Sequence, residues 1–160
     1  MTDFGIARAL HLIMVVLWIG GVGMVTTVLL PGIRRSHPPD ERFAAFHAIE
    51  ARFASQSRWT TALAGFSGFY MLWRIDGWDR FSSPSFWWMH AMVLTWLVFI
   101  AMLFVAEPLF LHRVLERRAV RDPEATYRIV ERLHWMLLAL SLITVAGAAA
   151  GVAGINLAGF

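Results

Sequence analysis

Four apolar stretches constrain the fold of this chain more than any other feature of its sequence. They cover residues 9–31, 59–73, 85–111 and 133–155. The hydrocarbon core of a bilayer is about 30 Å thick, and a helix needs about 20 apolar residues to cross it. Helices are also among the few structures that satisfy every backbone polar group in lipid. The sequence therefore predicts four membrane-spanning helices.

The composition favours a membrane protein over a soluble domain. Of the 160 residues, 58% are hydrophobic and only 16% are charged, whereas a soluble domain of this size needs a more polar surface. The chain has no cysteine, which excludes disulfides, thiolate zinc sites, iron–sulfur clusters and covalent haem attachment. All 14 basic residues are arginines spread through an apolar chain, a pattern typical of membrane flanks and not of nucleic-acid binding.

The predicted helices extend beyond the apolar stretches on one side. Residues 40–58 contain no glycine or proline and follow a Pro-Pro-Asp start signal, so we predict one helix over 40–74 with an amphipathic first half. The third helix is predicted to run to about residue 119, and the fourth to begin at 122–124. The predicted fold class is all-α, a single four-helix up-down membrane bundle over 1–160 that projects from one membrane face.

The arginines are divided unequally between the two sides of this bundle. Eleven flank the first and third connections, and three lie on the other side, at Arg8, Arg74 and Arg80. The positive-inside rule places the arginine-rich side in the cytoplasm. We therefore expect a multi-pass protein of the cell inner membrane with both termini on the non-cytoplasmic side.

His11 and His90 have matching depths near the predicted non-cytoplasmic face. They lie about seven and six residues into the first and third helices, and at 1.5 Å per residue their depths agree within about 2 Å. In an up-down bundle these two helices are diagonal neighbours. At that depth the other two helices carry small residues: Gly65, Gly68, Gly147 and Gly151. The pattern predicts haem b held by the two imidazoles in the space beside the glycines. The alternative is that the glycines serve close helix packing and the histidines lie at the interface.

A second group of histidines lies towards the predicted cytoplasmic end. His47, His112 and His134 fall within about one helical turn of one depth. Each has a glutamate three or four residues away on the same helix face: Glu50, Glu116 and Glu131. Three hypotheses follow: a second haem held by His47 and His134 with His112 beside it, a non-haem metal site of the di-iron carboxylate kind, or ordinary surface pairs worth under about 1 kcal/mol each.

Glu107 is an unusual residue because it lies inside the third apolar stretch. It directly precedes Pro108, which lacks an N–H and is expected to free a backbone carbonyl and kink the helix. A carboxylate at membrane depth usually lines a polar cavity or a proton path. An arginine such as Arg58 is expected to neutralise it.

Two segments resemble a known group of small membrane proteins. The first is Ala9-Leu10-His11-Leu12-Ile13, continuing through Trp18, Gly20 and Gly21, and the second is Trp88-Met89-His90-Ala91-Met92. Together they resemble the HemJ-type protoporphyrinogen oxidases and the wider copper-resistance D (CopD-like) group. The resemblance covers about a third of the chain.

This resemblance implies a four-helix membrane fold. From the HemJ type it also implies bound haem b with a ligand in the first helix, here His11. The HemJ pattern has a lysine thought to be required for activity where this chain has Met92, so haem binding carries over more readily than porphyrinogen oxidation.

These features together predict an integral membrane b-type cytochrome with one haem or two. It would serve electron transfer, or act as a haem-dependent membrane oxidoreductase, with quinone or another redox protein as partner, and the sequence is compatible with a homo-oligomer. The alternatives are a CopD-like copper or metal transport protein with methionine and histidine ligands, a HemJ-like porphyrinogen oxidase, or a subunit whose histidines only pack. The chain carries no nucleophile elbow, phosphate loop or nucleotide fingerprint.

Overall fold

The computed structural model of the chain describes residues 2–155, and these residues form four long helices and no strand. In chain order they are α1 (Thr2–Ser36), α2 (Pro39–Arg74), α3 (Pro84–Arg121) and α4 (Pro123–Val152). The predicted all-α class is confirmed. The predicted domain 1–160 also includes Met1 and residues 156–160, which lie outside the described residues.

The helix ends follow local sequence signals. α2 begins at Pro39 and ends at Arg74, which confirms the predicted single helix over 40–74. α4 begins at Pro123 because the Asp122 side chain caps it, accepting a hydrogen bond from the Ala125 N–H at 2.9 Å. A short 3₁₀ helix, Trp78–Ser82, lies in the connection between α2 and α3.

Each helix packs antiparallel to the next, and α4 closes the ring against α1. A hydrogen bond links each neighbouring pair: His11 to Ala64, Trp96 to Thr61, Thr95 to Thr144, and Tyr127 to Leu30. α1 and α3 meet across the diagonal, where the Trp18 and Phe99 rings lie edge to face with centroids 4.8 Å apart. The packing is that of an up-down bundle.

Three of the four helices are long and apolar enough to cross a membrane: α1, α3 and α4. α2 does not meet that description, because its apolar stretch, 59–73, is short and includes Thr60, Thr61 and Ser67. A membrane span through α2 therefore stays a prediction. Many large apolar side chains face outward, such as Val16 on α1, Phe66 on α2 and Ile143 on α4. A bundle with this surface suits a lipid environment, where exposed apolar side chains carry no penalty.

The two ends of the bundle differ in composition, and we name them for that difference. The arginine-rich end lies at the connections between α1 and α2 and between α3 and α4. The tryptophan-rich end lies at the connection between α2 and α3, with Trp73, Trp78 and Trp87.

Candidate functional site

An interior cavity of about 120 Å³ lies in the arginine-rich half of the bundle. Six polar side chains line it: His47, Glu50 and Ser57 from α2, Glu107 and His112 from α3, and His134 from α4. The rest of its wall is mainly apolar, including Val22 from α1 and several phenylalanines. A water molecule needs about 10–15 Å³ of such volume, so several can fit among these polar groups. We call this space the histidine cavity.

His47 and His112 lie face to face at the outer side of the cavity. Their ring centroids are 4.0 Å apart with planes 24° from parallel, and the Phe43 ring stacks against both. His47 Nδ1 is 3.5 Å from a Glu50 oxygen, and His112 Nε2 is 3.8 Å from a Glu116 oxygen. The predicted shared depth of His47 and His112 is confirmed.

His134 reaches the same cavity from α4 but does not join this stack. Its Nδ1 donates a hydrogen bond to the Val130 carbonyl at 2.9 Å, and its ring lies edge-on to Phe46. A carbonyl can only accept, so Nδ1 carries the proton and Nε2 of the neutral ring is left as an acceptor. Metal-bound imidazoles are usually oriented in the same way.

Glu131, which was predicted to accompany His134, has a different partner. Its two oxygens accept hydrogen bonds from Arg34 at 2.9 and 2.6 Å. Arg34 also bonds Glu124, which pairs in turn with Arg42. The network ties α1, α2 and α4 together at the arginine-rich end.

Glu107 lies on a stretch of π-helix, Ala101–Leu111, and lines the cavity. Arg58 Nη2 donates to Glu107 Oε1 at 2.9 Å, as the sequence predicts. Arg58 Nε also donates to the Leu103 carbonyl at 3.1 Å. In a π-helix that carbonyl would be paired with the N–H five residues on, at Pro108, which has none. Arg58 therefore neutralises the carboxylate and satisfies the carbonyl that Pro108 leaves free.

Glu50 is held in surroundings that favour its neutral form. Burial raises the pKa of this carboxyl above its ordinary value, and the nearby Glu107 charge raises the pKa further. His47 and Arg58 oppose this shift but do not cancel it. Arg58 is engaged by Glu107, which limits its effect on Glu50.

Three buried polar side-chain atoms have no hydrogen-bond partner within residues 2–155. They are Ser57 Oγ, Thr61 Oγ1 and Trp18 Nε1. Ser57 is only 3% exposed and lines the cavity. Ser57 is not among the residues predicted from the sequence. It follows the spacing of one helix face together with Glu50, Ala54 and Thr61. A polar stripe at that spacing was the signal that could have identified it.

His11 lies at the other half of the bundle, between α1 and α2. Its Nδ1 donates to the Ala64 carbonyl at 2.8 Å and is 3.3 Å from Ser67 Oγ. The ring lies against Gly68, where an added Cβ would come within 3.2 Å of His11 Cε1. Within residues 2–155, the Nε2 atom of His11 makes no hydrogen bond.

The other three predicted glycines each lie against a tryptophan ring. A Cβ added at Gly65 would overlap the indole of Trp96, one at Gly147 would overlap Trp87, and one at Gly151 would overlap Trp88. Indole rings therefore occupy the space that the sequence analysis expected to be free for a cofactor. Helical periodicity does not reveal which large side chain on a neighbouring helix will fill the gap beside a small one.

His90, the predicted partner of His11, has different surroundings. It is exposed, and its ring lies edge-on to Phe81 with centroids 5.2 Å apart. The joint ligation of one iron by His11 and His90 stays a prediction. Among residues 2–155, no three His, Asp or Glu side chains are arranged to hold a metal ion. A non-haem metal at the histidine cavity therefore gains no support here and stays a prediction.

A groove of about 410 Å³ runs between α1 and α2 near His11. Its lining is largely apolar, with Ile6, Leu10 and Phe66, and Asp3 and Tyr70 supply polar groups. Ser67, which lies beside the His11 ring, also lines it. The volume falls within the range of about 300–1,000 Å³ typical of small-molecule sites.

Comparisons with protein-family models, with curated proteins and with solved structures found no match to this chain.

Proposed function

We propose that the chain is an integral membrane b-type cytochrome that binds one haem through His11 and serves electron transfer. All four helices span the inner membrane in this proposal, with α2 crossing through residues 59–73 and the arginine-rich end in the cytoplasm. The length and apolar character of α1, α3 and α4 support the membrane assignment. The positive-inside rule supports the orientation.

The arrangement of His11 is the observation that carries the haem assignment. The Ala64 carbonyl holds the proton on Nδ1, and it thereby leaves the Nε2 lone pair free for an iron. Ligating histidines in proteins usually have their second nitrogen fixed in this way. Bound haem would supply a one-electron couple whose potential depends on its ligands and burial.

Some of the residues predicted to bind haem have surroundings that suit it, and others do not. His11 and Gly68 fit, because the imidazole has a fixed tautomer and lies against a residue without a side chain. The glycines covered by tryptophan do not offer open space, and His90 is exposed. The histidine cavity, at about 120 Å³, is smaller than ordinary ligand pockets of about 300 Å³ and more. For these reasons we propose one haem and not two.

A quinone is the partner that suits this proposal. The groove between α1 and α2 opens at the bundle surface and is mainly apolar, which suits the ring and tail of a quinone. Its Tyr70 hydroxyl donates to the Asp3 carboxylate at 3.1 Å, and Ser67, which also lines the groove, lies 3.3 Å from His11 Nδ1. An electron could pass between the two sites over a short distance.

The test is the visible spectrum of the detergent-purified protein, oxidised and reduced, with a pyridine haemochrome count. We expect about one haem b per chain, as ligation at a single site requires. His11→Ala should remove most of the haem, because neither alanine nor the neighbouring Gly68 can ligate the iron. His37→Ala is the matched control: His37 lies in the connection after α1, bonds Ser36, and should leave the haem content unchanged.

Two results would contradict the proposal. Full haem content with an unaltered spectrum in His11→Ala would exclude this histidine as a ligand. A colourless protein that binds copper stoichiometrically would favour the CopD-like alternative, for which the cavity offers Met102 beside its three histidines.

A further inference from the structure

We propose that the histidine cavity is a proton-binding site, in which the Glu50 carboxyl holds a proton delivered from the arginine-rich end through His112 and His47. The ligand is the proton itself, carried by water. The site does not depend on haem, since none of its residues contacts His11.

The unpartnered hydroxyl of Ser57 indicates that the cavity is hydrated. A buried hydroxyl without a partner is destabilising, and water is the ordinary partner for such groups. The cavity beside Ser57 has room for several waters and also exposes two carboxyl groups and three imidazoles. These groups together can support a hydrogen-bonded water cluster.

A line of titratable groups connects this cavity to the end of the bundle. Glu116 is 65% exposed at its side chain and lies 3.8 Å from His112. His112 stacks on His47, and His47 is 3.5 Å from Glu50. The stacked faces of His112 and His47 do not pass a proton directly, because ring N–H bonds and lone pairs lie in the ring planes. Cavity water that bonds to the ring nitrogens carries the proton from the surface to the Glu50 carboxylate, and each imidazole is neutral again afterwards.

The cavity is closed towards the tryptophan-rich end. Below it lies an apolar layer formed by Trp18, Val22, Ala64, Phe99 and Leu138. This layer contains no titratable side chain to relay a proton, so the path is open on one side only. The site binds a proton and does not conduct it across the bundle.

Charged and titratable groups from three helices face Glu50 and account for its role. On its own helix these are His47 and Arg58; α3 provides Glu107 and His112, and α4 provides His134. α1 contributes only the apolar Val22 to the cavity wall. Arg58 donates to Glu107 at 2.9 Å, whereas Glu50 has no arginine bonded to it in residues 2–155 and is the carboxyl that takes up the proton.

The experiment is infrared spectroscopy of the purified full-length protein in H₂O and D₂O. We expect a carbonyl stretch from a protonated carboxyl group at neutral pH that shifts in D₂O and disappears as the pH rises. Glu50→Gln should abolish this band. Glu41→Gln, an exposed glutamate on the same helix, should leave it unchanged and is the matched control.

Delivery through the stacked imidazoles is tested by the rate at which this band exchanges in D₂O. His112→Phe preserves a stacked ring but cannot carry a proton, so exchange should slow several-fold while the band remains. His112→Gln is a second variant in case the first does not fold. An unchanged exchange rate in both would overturn the proposed route.

The assignment to Glu50 fails if the wild-type protein shows no protonated carboxyl band between about pH 5 and 8, where histidine-linked sites titrate. It also fails if the band survives Glu50→Gln and is lost in Glu107→Gln. Haem content in these variants separates this proposal from the cytochrome assignment, since Glu50→Gln should retain the haem whichever result is obtained.

Discussion

At the tryptophan-rich end of the bundle, indole rings from α3 pack against glycines on α2 and α4. At the arginine-rich end, by contrast, imidazole and carboxyl groups line a cavity. The first region achieves close packing because Gly65, Gly147 and Gly151 have no Cβ to obstruct Trp96, Trp87 and Trp88. The second region leaves about 120 Å³ open, and its polar groups provide hydrogen bonds to whatever enters. Histidines occur in both regions, but their surroundings suit different chemistry.

The difference shows that the role of a glycine or a histidine in this bundle depends on the side chains that face it from the neighbouring helices. His11 has its Nδ1 fixed by a backbone carbonyl and lies against a glycine, which suits a ligand. His90, at a matching depth in sequence terms, is exposed beside Phe81. Depth along a helix therefore identifies candidates, and the neighbouring helices decide between them.

Removing an indole at the tryptophan-rich end should have the largest effect on stability. Trp96→Ala empties the space beside Gly65 and removes the hydrogen bond from Nε1 to the Thr61 carbonyl, so we expect a loss of about 3 kcal/mol or more in the free energy of unfolding. Thermal unfolding in detergent measures it. Trp59→Ala, at a tryptophan that is 71% exposed, should cost much less, and equal losses in the two variants would show that the indole does not fill a packed site.

Breaking the ion pair at the cavity should have a smaller effect. Arg58→Met leaves the Glu107 carboxylate and the Leu103 carbonyl without their partner, and we expect a loss of about 2 kcal/mol because the pair is only partly buried. Adding Glu107→Gln should recover part of it, since the unpaired charge is then gone. No recovery in the double variant would mean that the carbonyl contact, and not the ion pair, stabilises this region.

The smallest effect should appear as a pH dependence of stability. The pKa of Glu50 is raised in the folded protein by burial and by Glu107, so its contribution to stability is fully present below the unfolded-state pKa and is lost as the pH rises through the folded-state pKa. Denaturant titrations at several pH values should show this decline in the wild type and a flatter profile in Glu50→Gln. Parallel profiles would show that Glu50 has the same pKa in both states.

Much of the fold could be predicted from the sequence, because helix signals are local. Composition, spacing and start signals predict four of its features. These are the apolar stretches, the single helix over 40–74, the start of α4 after Asp122, and the contact between Arg58 and Glu107. The shared level of His47 and His112 follows from counting residues around a short connection. These inferences need only the rise of a helix and the order of the elements.

The sequence by itself determined four helices, their apolar character and the depth at which each histidine lies. Only the tertiary structure decided that indole rings fill the space beside three glycines, that Glu131 bonds Arg34, and that Ser57 lines a cavity without a partner. The physical reason is that periodicity fixes which residues share a helix face and depth, whereas the rotation of each helix against its neighbours fixes what those faces meet. Packing between helices is a property of the whole bundle, and no single stretch of sequence contains it.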